Sequence, residues 1–224
     1  MIPLHDDNPT RRFAFVTATF IVANILVFLY EVTLPSEAHL TAFFADFALT
    51  PAAVSAPGSV TAYGTVFTSM FLHGGWLHLI GNMLYLWIFG NNIEDAVGHV
   101  KFIFFYLLCG IAAAAMQVLI NPDSTVPMVG ASGAVSGVLG AYLLLYPRAR
   151  VLVVIPIIIF LKFLRVPAVV LLVFWFGMQL LSGWATLGAQ TTGGGVAFWA
   201  HIGGFAAGLV LIPLFKQRRV RLFQ

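Results

Sequence analysis

Polar residues are scarce and unevenly spaced along the chain, and the gaps between them define its elements. Apolar runs long enough to cross a hydrocarbon core, which takes about 20 helical residues, fall at roughly 13–32, 76–93, 102–120, 128–146, 166–186 and 196–215. This pattern predicts an all-α polytopic membrane protein with six spans. A further apolar stretch, "VLVVIPIIIF" at 151–160, is too short to cross and carries Pro156 in its middle, so it is read as a connector at the inner interface. In the long loop between the first two spans, Leu40, Phe43, Phe44 and Phe47 recur at 0, 3, 4 and 7. That is the spacing of one helical face, expected for a helix lying in the outer interface. An aromatic-rich loop packed on the bundle accounts for it equally well.

Composition and charge orient this picture. Of 224 residues, 60% are hydrophobic and 8% charged, and the mean hydropathy is +0.97, far from the soluble average. The first apolar run follows Arg11 and Arg12 and leads into "YEVTLPSEAH" without a small-residue cleavage site, which predicts a retained signal-anchor. On the six-span reading all eleven Lys and Arg fall on one side: Arg11, Arg12, Lys101, Arg148, Arg150, Lys162, Arg165, Lys216, Arg218, Arg219 and Arg221. Both termini are therefore expected in the cytoplasm, with residues 1–12 as an N-terminal segment, 13–215 as the helical domain and 216–224 as a basic tail. The expected location is a bacterial inner membrane, with lipid as the surrounding partner. The net charge of +3 comes from residues scattered at span ends, apart from "KQRRVR" at 216–221, so nucleic-acid binding is not expected. The single cysteine, Cys109, lies mid-span, excludes an intramolecular disulfide and reads as packing.

The same topology starts the second, fourth and sixth spans at the outer face. Their outer ends carry His78 and Asn82, then Ser132, then His201. Each alone has an ordinary explanation, as helix-to-helix glue or a structural residue. Together, at one depth of an apolar protein, they are costly unless they share a cavity. A serine hydroxyl becomes a nucleophile when a neutral imidazole takes its proton, a condition that Ser132 and His201 meet topologically. His78 and Asn82, at i and i+4, project from one helical face. With the N-terminal end of the fourth span, they are candidate donors to an oxyanion.

Small residues predict close approach of the fourth and sixth spans: Gly130, Gly133, Gly137 and Gly140 in one, Gly204 and Gly208 in the other. On an ideal helix Ser132 lies roughly 120° from the centre of its glycine stripe. It is therefore expected where the helix begins, on a non-ideal turn allowed by Gly130 and Gly133. No HExxH occurs, so no metal site is expected, and no cofactor is implied. The nearest carboxylate to support His201, Asp123, is distant in sequence, which predicts a Ser-His dyad rather than a triad.

Three stretches, "FLHGGWLHLIGNMLYLWIFG" at 71–90, "GASGAVSG" at 130–137 and "AHIGGFAAG" at 200–208, resemble the motifs of the rhomboid family of intramembrane serine proteases. The resemblance implies a six-transmembrane-helix rhomboid bundle with a long first outer loop and an active site opening to the outer face. It implies Ser132 as nucleophile and His201 as general base, with His78, Asn82 and the backbone N–H of Ser132 serving the oxyanion. Gly133, Gly137, Gly204 and Gly208 would pack the helices, and the partners would be transmembrane protein substrates entering beside the fifth span. Two departures stand out. The segment before "TSMFLHGG" reads "TAYGTVF", where members often carry a Trp-Arg pair. Ser136 stands where some members place an aromatic residue against the histidine. Inactive relatives lack the nucleophile or the base; this chain has both. A noncatalytic membrane chaperone on the same fold is the competing reading, whereas a small transporter lacks the expected paired intramembrane charges.

Overall fold

The computed structural model describes residues 1–157, 160–187 and 196–224. The loop expected between the fifth and sixth spans, from 188 on, and residues 158 and 159 of the inner connector lie outside the described residues. In chain order the elements are β1 (Ile2–Asp6), α1 (Phe15–Thr33), α2 (Glu37–Phe47), α3 (Pro51–Ser55), α4 (Val60–Thr68), a 3-10 turn (Ser69–Phe71), α5 (Trp76–Tyr85), a π-helical turn (Leu86–Gly90), α6 (Asn91–Val97), α7 (His99–Ile120), α8 (Ser132–Leu145), β2 (Arg150–Ile157), β3 (Phe160–Pro167), α9 (Ala168–Ala185) and α10 (Phe198–Phe215). The protein is mostly helical. Among the described residues four helices, α1, α7, α9 and α10, are long and apolar enough to cross a membrane, and α8 is a shorter apolar helix. Helical dihedrals at Tyr85, Leu86, Gly90 and Asn91 carry α5 through the π turn into α6 as one rod.

The expectation of an all-α chain is corrected by a three-stranded antiparallel sheet, ordered β1-β2-β3. The stretch taken as a connector is its central strand. Its uniform apolarity hides the period of two that marks a strand, while its β-branched residues favour one. Val151 and Val153 are fully buried and Arg150–Ile157 pairs in register with Phe160–Pro167. Because β1 reaches along β2 only as far as Val154, Pro156, which has no N–H to donate, stands where β2 has a single neighbour. The strand β1 is tied to the bundle by Asp6, whose carboxylate accepts from Tyr142 Oη at 2.5 Å and from Asn92 Nδ2 at 2.9 Å.

Two buried carboxylates hold α1 antiparallel to the α5–α6 rod. At its start, Glu94 accepts the backbone N–H groups of Val16 and Thr17 at 2.9 and 2.7 Å and the Thr17 hydroxyl at 2.7 Å. At its end, Glu31 accepts the backbone N–H of His73 at 3.2 Å. The first arrangement places negative charge on unpaired donors at a helix N-terminus, where it is most favourable. The aromatic spacing after α1 forms a helix, α2, in which Phe43 packs edge-on against Tyr30 and tilted against Phe47.

The core is built on α7, α8 and α10, whose glycines set its geometry. A Cβ built on Gly204 meets the backbone carbonyl of Gly133, and one on Gly208 meets that of Gly137, with its Cα only 2.8 Å away. The partners advance together, 133 with 204 and 137 with 208, so α8 and α10 run parallel. Against α7 the order reverses: Gly133 faces Ala113 and Gly137 faces Cys109. Small residues here let backbones touch without side chains between them, which is how helices associate where no water drives them together. The fully buried Cys109 occupies part of this seam.

Candidate active site

Ser132 is the first residue of α8. The chain reaches it in an extended run pinned on both sides, with Met128 and Leu49 exchanging backbone hydrogen bonds of 2.7 and 3.1 Å and Gly130 N–H donating to Ser69 O at 2.8 Å. Gly130 has φ +120°, a conformation that a residue with a Cβ rarely adopts. Ala131 is already helical, and no side chain caps the helix. The N–H groups of Ser132 and Gly133 are among the first of the helix and have no intrahelical acceptor. Ser136, one turn on, donates its hydroxyl to Ser132 O at 2.6 Å; that contact satisfies it within α8.

The rod α5 brings His78 and Asn82 to the same turn. A methyl group on Gly130 would lie 2.7 Å from His78 Nε2 and 3.5 Å from Asn82 Nδ2, so both side chains rest against the glycine two residues before Ser132. Asn82 is itself held: its Nδ2 donates to His73 Nε2 at 3.0 Å, and His73 is fixed through its backbone to Glu31. Burial, reinforced by the neighbouring His78, pushes the His73 imidazole down to about 4, so near neutral pH it is uncharged and free to accept the Asn82 proton.

His201 is buried on α10, one turn before Gly204. Its Nδ1 lies 2.8 Å from Oε1 of Gln179 on α9, and its ring is 5.8 Å from that of Trp175, inclined by 34°. The aromatic neighbour that Ser136 does not supply thus comes from a different helix. Ser132, His201, His78, Asn82 and Trp175 all line one cavity of about 890 Å³. The arrangement offers a hydroxyl, an imidazole whose second nitrogen is already engaged, two side chains able to donate hydrogen bonds, and uncapped helix N–H groups. These are the parts that acyl transfer requires.

Three residues of this site had no marker in the sequence. Gln179 and Trp175 are an isolated amide and an isolated aromatic in an apolar span, with nothing nearby to pair with; only their spacing of four, which aligns them on one helix face, hints at a joint task. His73 sits outside the His78 and Asn82 pair and reads as a helix-end histidine.

An apolar helical bundle with a serine at a glycine-forced helix start and an imidazole on the parallel helix defines the class to which comparison assigns the chain. A family model described as the Rhomboid domain matches residues 61–218, and the chain belongs to the rhomboid family. It is similar to mitochondrial rhomboid protein 1 of Saccharomyces cerevisiae, with 29% identity over 172 residues, covering 73% of this chain and 46% of that protein. It is also similar to the rhomboid protease GluP of Bacillus subtilis, with 40% identity over 76 residues, 34% of this chain and 14% of that protein. A third relative is the chloroplastic rhomboid-like protein 11 of Arabidopsis thaliana, 40% identical over 70 residues, 31% of this chain and 25% of that protein. The chain spans less than half the length of these relatives.

Proposed function

We propose that this chain is an intramembrane serine endopeptidase, hydrolysing peptide bonds in or next to transmembrane segments of membrane-protein substrates. The observation that carries the reading is that Ser132, His201, His78 and Asn82, from three separate helices, line one cavity. In this reading His201 Nε2 takes the Ser132 proton as Oγ attacks the scissile carbonyl carbon. The oxyanion accepts hydrogen bonds from the Ser132 N–H, from Asn82 and from His78. The imidazolium then gives its proton to the departing amine, and water repeats the sequence on the acyl-enzyme. The glycine contacts at Gly133, Gly137, Gly204 and Gly208 keep the helices that carry nucleophile and base in fixed register. A substrate helix has to unwind before its peptide bond reaches Ser132, which favours small or helix-breaking residues near the bond.

The proposed topology has six spans: α1, the α5–α6 rod, α7, α8 with the segment leading into it, α9 and α10. Both termini are cytoplasmic and the cavity faces the opposite side. Alternation of α7 against the parallel pair α8 and α10 and the one-sided Lys and Arg distribution support it.

The test uses the full chain in liposomes with a tagged transmembrane substrate and a fluorophosphonate label. Parent protein is expected to cleave and to label. Ser132→Ala is expected to do neither, a loss of at least ~1000-fold in cleavage. Labelling that persists in Ser132→Ala defeats the reading.

A further inference from the structure

His201 has two ring nitrogens, and the nucleophile claims only one. The other, Nδ1, lies 2.8 Å from Gln179 Oε1. An amide oxygen accepts and does not donate, so this contact puts the imidazole proton on Nδ1 and the lone pair on Nε2. The same helix face carries Trp175, whose ring lies along that of His201 at 5.8 Å. One residue of α9 therefore engages the edge of the imidazole and another stands beside the ring, which restricts its rotation about the Cβ–Cγ bond. In a Ser-His pair standing alone nothing selects the tautomer. In a triad a carboxylate does so, and its charge also steadies the imidazolium. Here the acceptor is neutral.

We propose that Gln179 is a positioning residue for His201, completing a Ser132–His201–Gln179 array in which it fixes the tautomer that leaves Nε2 free to receive the serine proton. The inference rests on the reading of His201 as general base. When Ser132 gives up its proton, Nε2 gains it, Nδ1 keeps its own, and the Gln179 oxygen holds the Nδ1–H throughout; no further proton moves. Gln179 contributes orientation and a dipole, and it belongs to a helix other than those bearing nucleophile and base. The buried residues of α9 are Ala168, Leu171, Leu172 and Gly183, three of them at its beginning, so the turns between are held through Trp175 and Gln179 on His201 and Phe176 on Phe205. Any displacement of α9 that admits a substrate also releases the base from its acceptor.

The charged environment makes the proposal measurable. Among the described residues lining the cavity, the titratable side chains besides His201 are His78 and Tyr85, both from α5; α7, α8, α9 and the loop before Ser132 bring no carboxylate or amine to it. A carboxylate introduced at 179 is thus the single negative charge beside the imidazole, and its effect on the acidic limb of the rate profile stands alone.

The experiment follows the rate of fluorophosphonate–rhodamine labelling of the full chain in liposomes from pH 5 to 9. Gln179→Leu, which keeps the bulk and removes the acceptor, is expected to slow labelling roughly 3- to 10-fold across the range. Gln179→Glu is expected to restore labelling at the alkaline end and to move the acidic limb upward by about one pH unit, because the carboxylate favours the protonated ring. An acidic limb that stays in place in Gln179→Glu, with labelling still confined to Ser132, overturns this inference and leaves the Ser-His reading standing. Labelling that survives Ser132→Ala overturns both.

Discussion

The helix α10 packs against α7, α8 and α9, and it meets the last two in opposite ways. Against α8 it brings backbone to backbone: a Cβ added at Gly204 or Gly208 would collide with the carbonyl of Gly133 or Gly137. Against α9 the contact is made by large groups, with Phe176 stacked on Phe205 at 4.4 Å and Trp175 beside His201. Much of α9 faces outward, Leu181 and Trp184 at 68% and 75% exposure among them. A backbone-to-backbone seam has one arrangement and no rotamers to adjust, whereas a seam of side chains can repack. The proposed nucleophile and base therefore sit across the rigid seam, and the residue that orients the base sits across the adaptable one.

The largest effect is expected from breaking the rigid seam. Gly208→Val places its Cβ on backbone atoms that cannot yield, and is expected to cost about 3 kcal/mol or more, at the upper end of overpacking penalties. The measurement is the thermal midpoint in detergent together with Ser132 labelling; a variant that melts with the parent would show that the seam opens easily. A middle-sized effect is expected at the second face of the site. Because the His73 imidazole is pushed down to about 4 from an ordinary value near 6.5, the unfolded chain binds more protons than the folded one between those limits. The contribution of His73 to stability therefore rises with pH across that window, is complete above about 6.5, and falls away as pH drops toward 4. His73→Gln is expected to flatten this dependence in unfolding measurements at pH 4.5 and 7; an unchanged slope would assign it to another group. The smallest effect belongs to α9. Leu181→Ala, on its outward face, is expected to change stability by no more than about 0.5 kcal/mol and to leave labelling unaltered, and a larger loss would mean that α9 is held as firmly as α8.

How much of this was legible depended on whether a residue's partner was announced by spacing. The phase of Gly130, Gly133, Gly137 and Gly140 excluded Ser132 from the glycine face of an ideal helix, and in the structure α8 begins at Ser132 behind a glycine of positive φ. Leu40, Phe43, Phe44 and Phe47 carried a helical period in a loop, and α2 is there. The hairpin was not legible, because a run that is apolar at every position has no alternation to read, and only Lys162 and Arg165 interrupt its second strand. Gln179, His73 and Glu31 were hidden for a different reason. Each meets a residue outside its own element, from 9 positions between His73 and Asn82 to 42 between Glu31 and His73, and a lone polar residue in an apolar segment names no partner.

The sheet has a consequence for how the molecule is made. Ile2–Asp6 pairs with Val151–Val154, so β1 waits for a strand that emerges after α1, the α5–α6 rod, α7 and α8. Until then it has no strand to pair with, and the knot of Asp6, Asn92 and Tyr142 waits for α8. Closure of the sheet is thus a late event in synthesis, and Ile2–Asp6 finds its place only after most of the helices have been made.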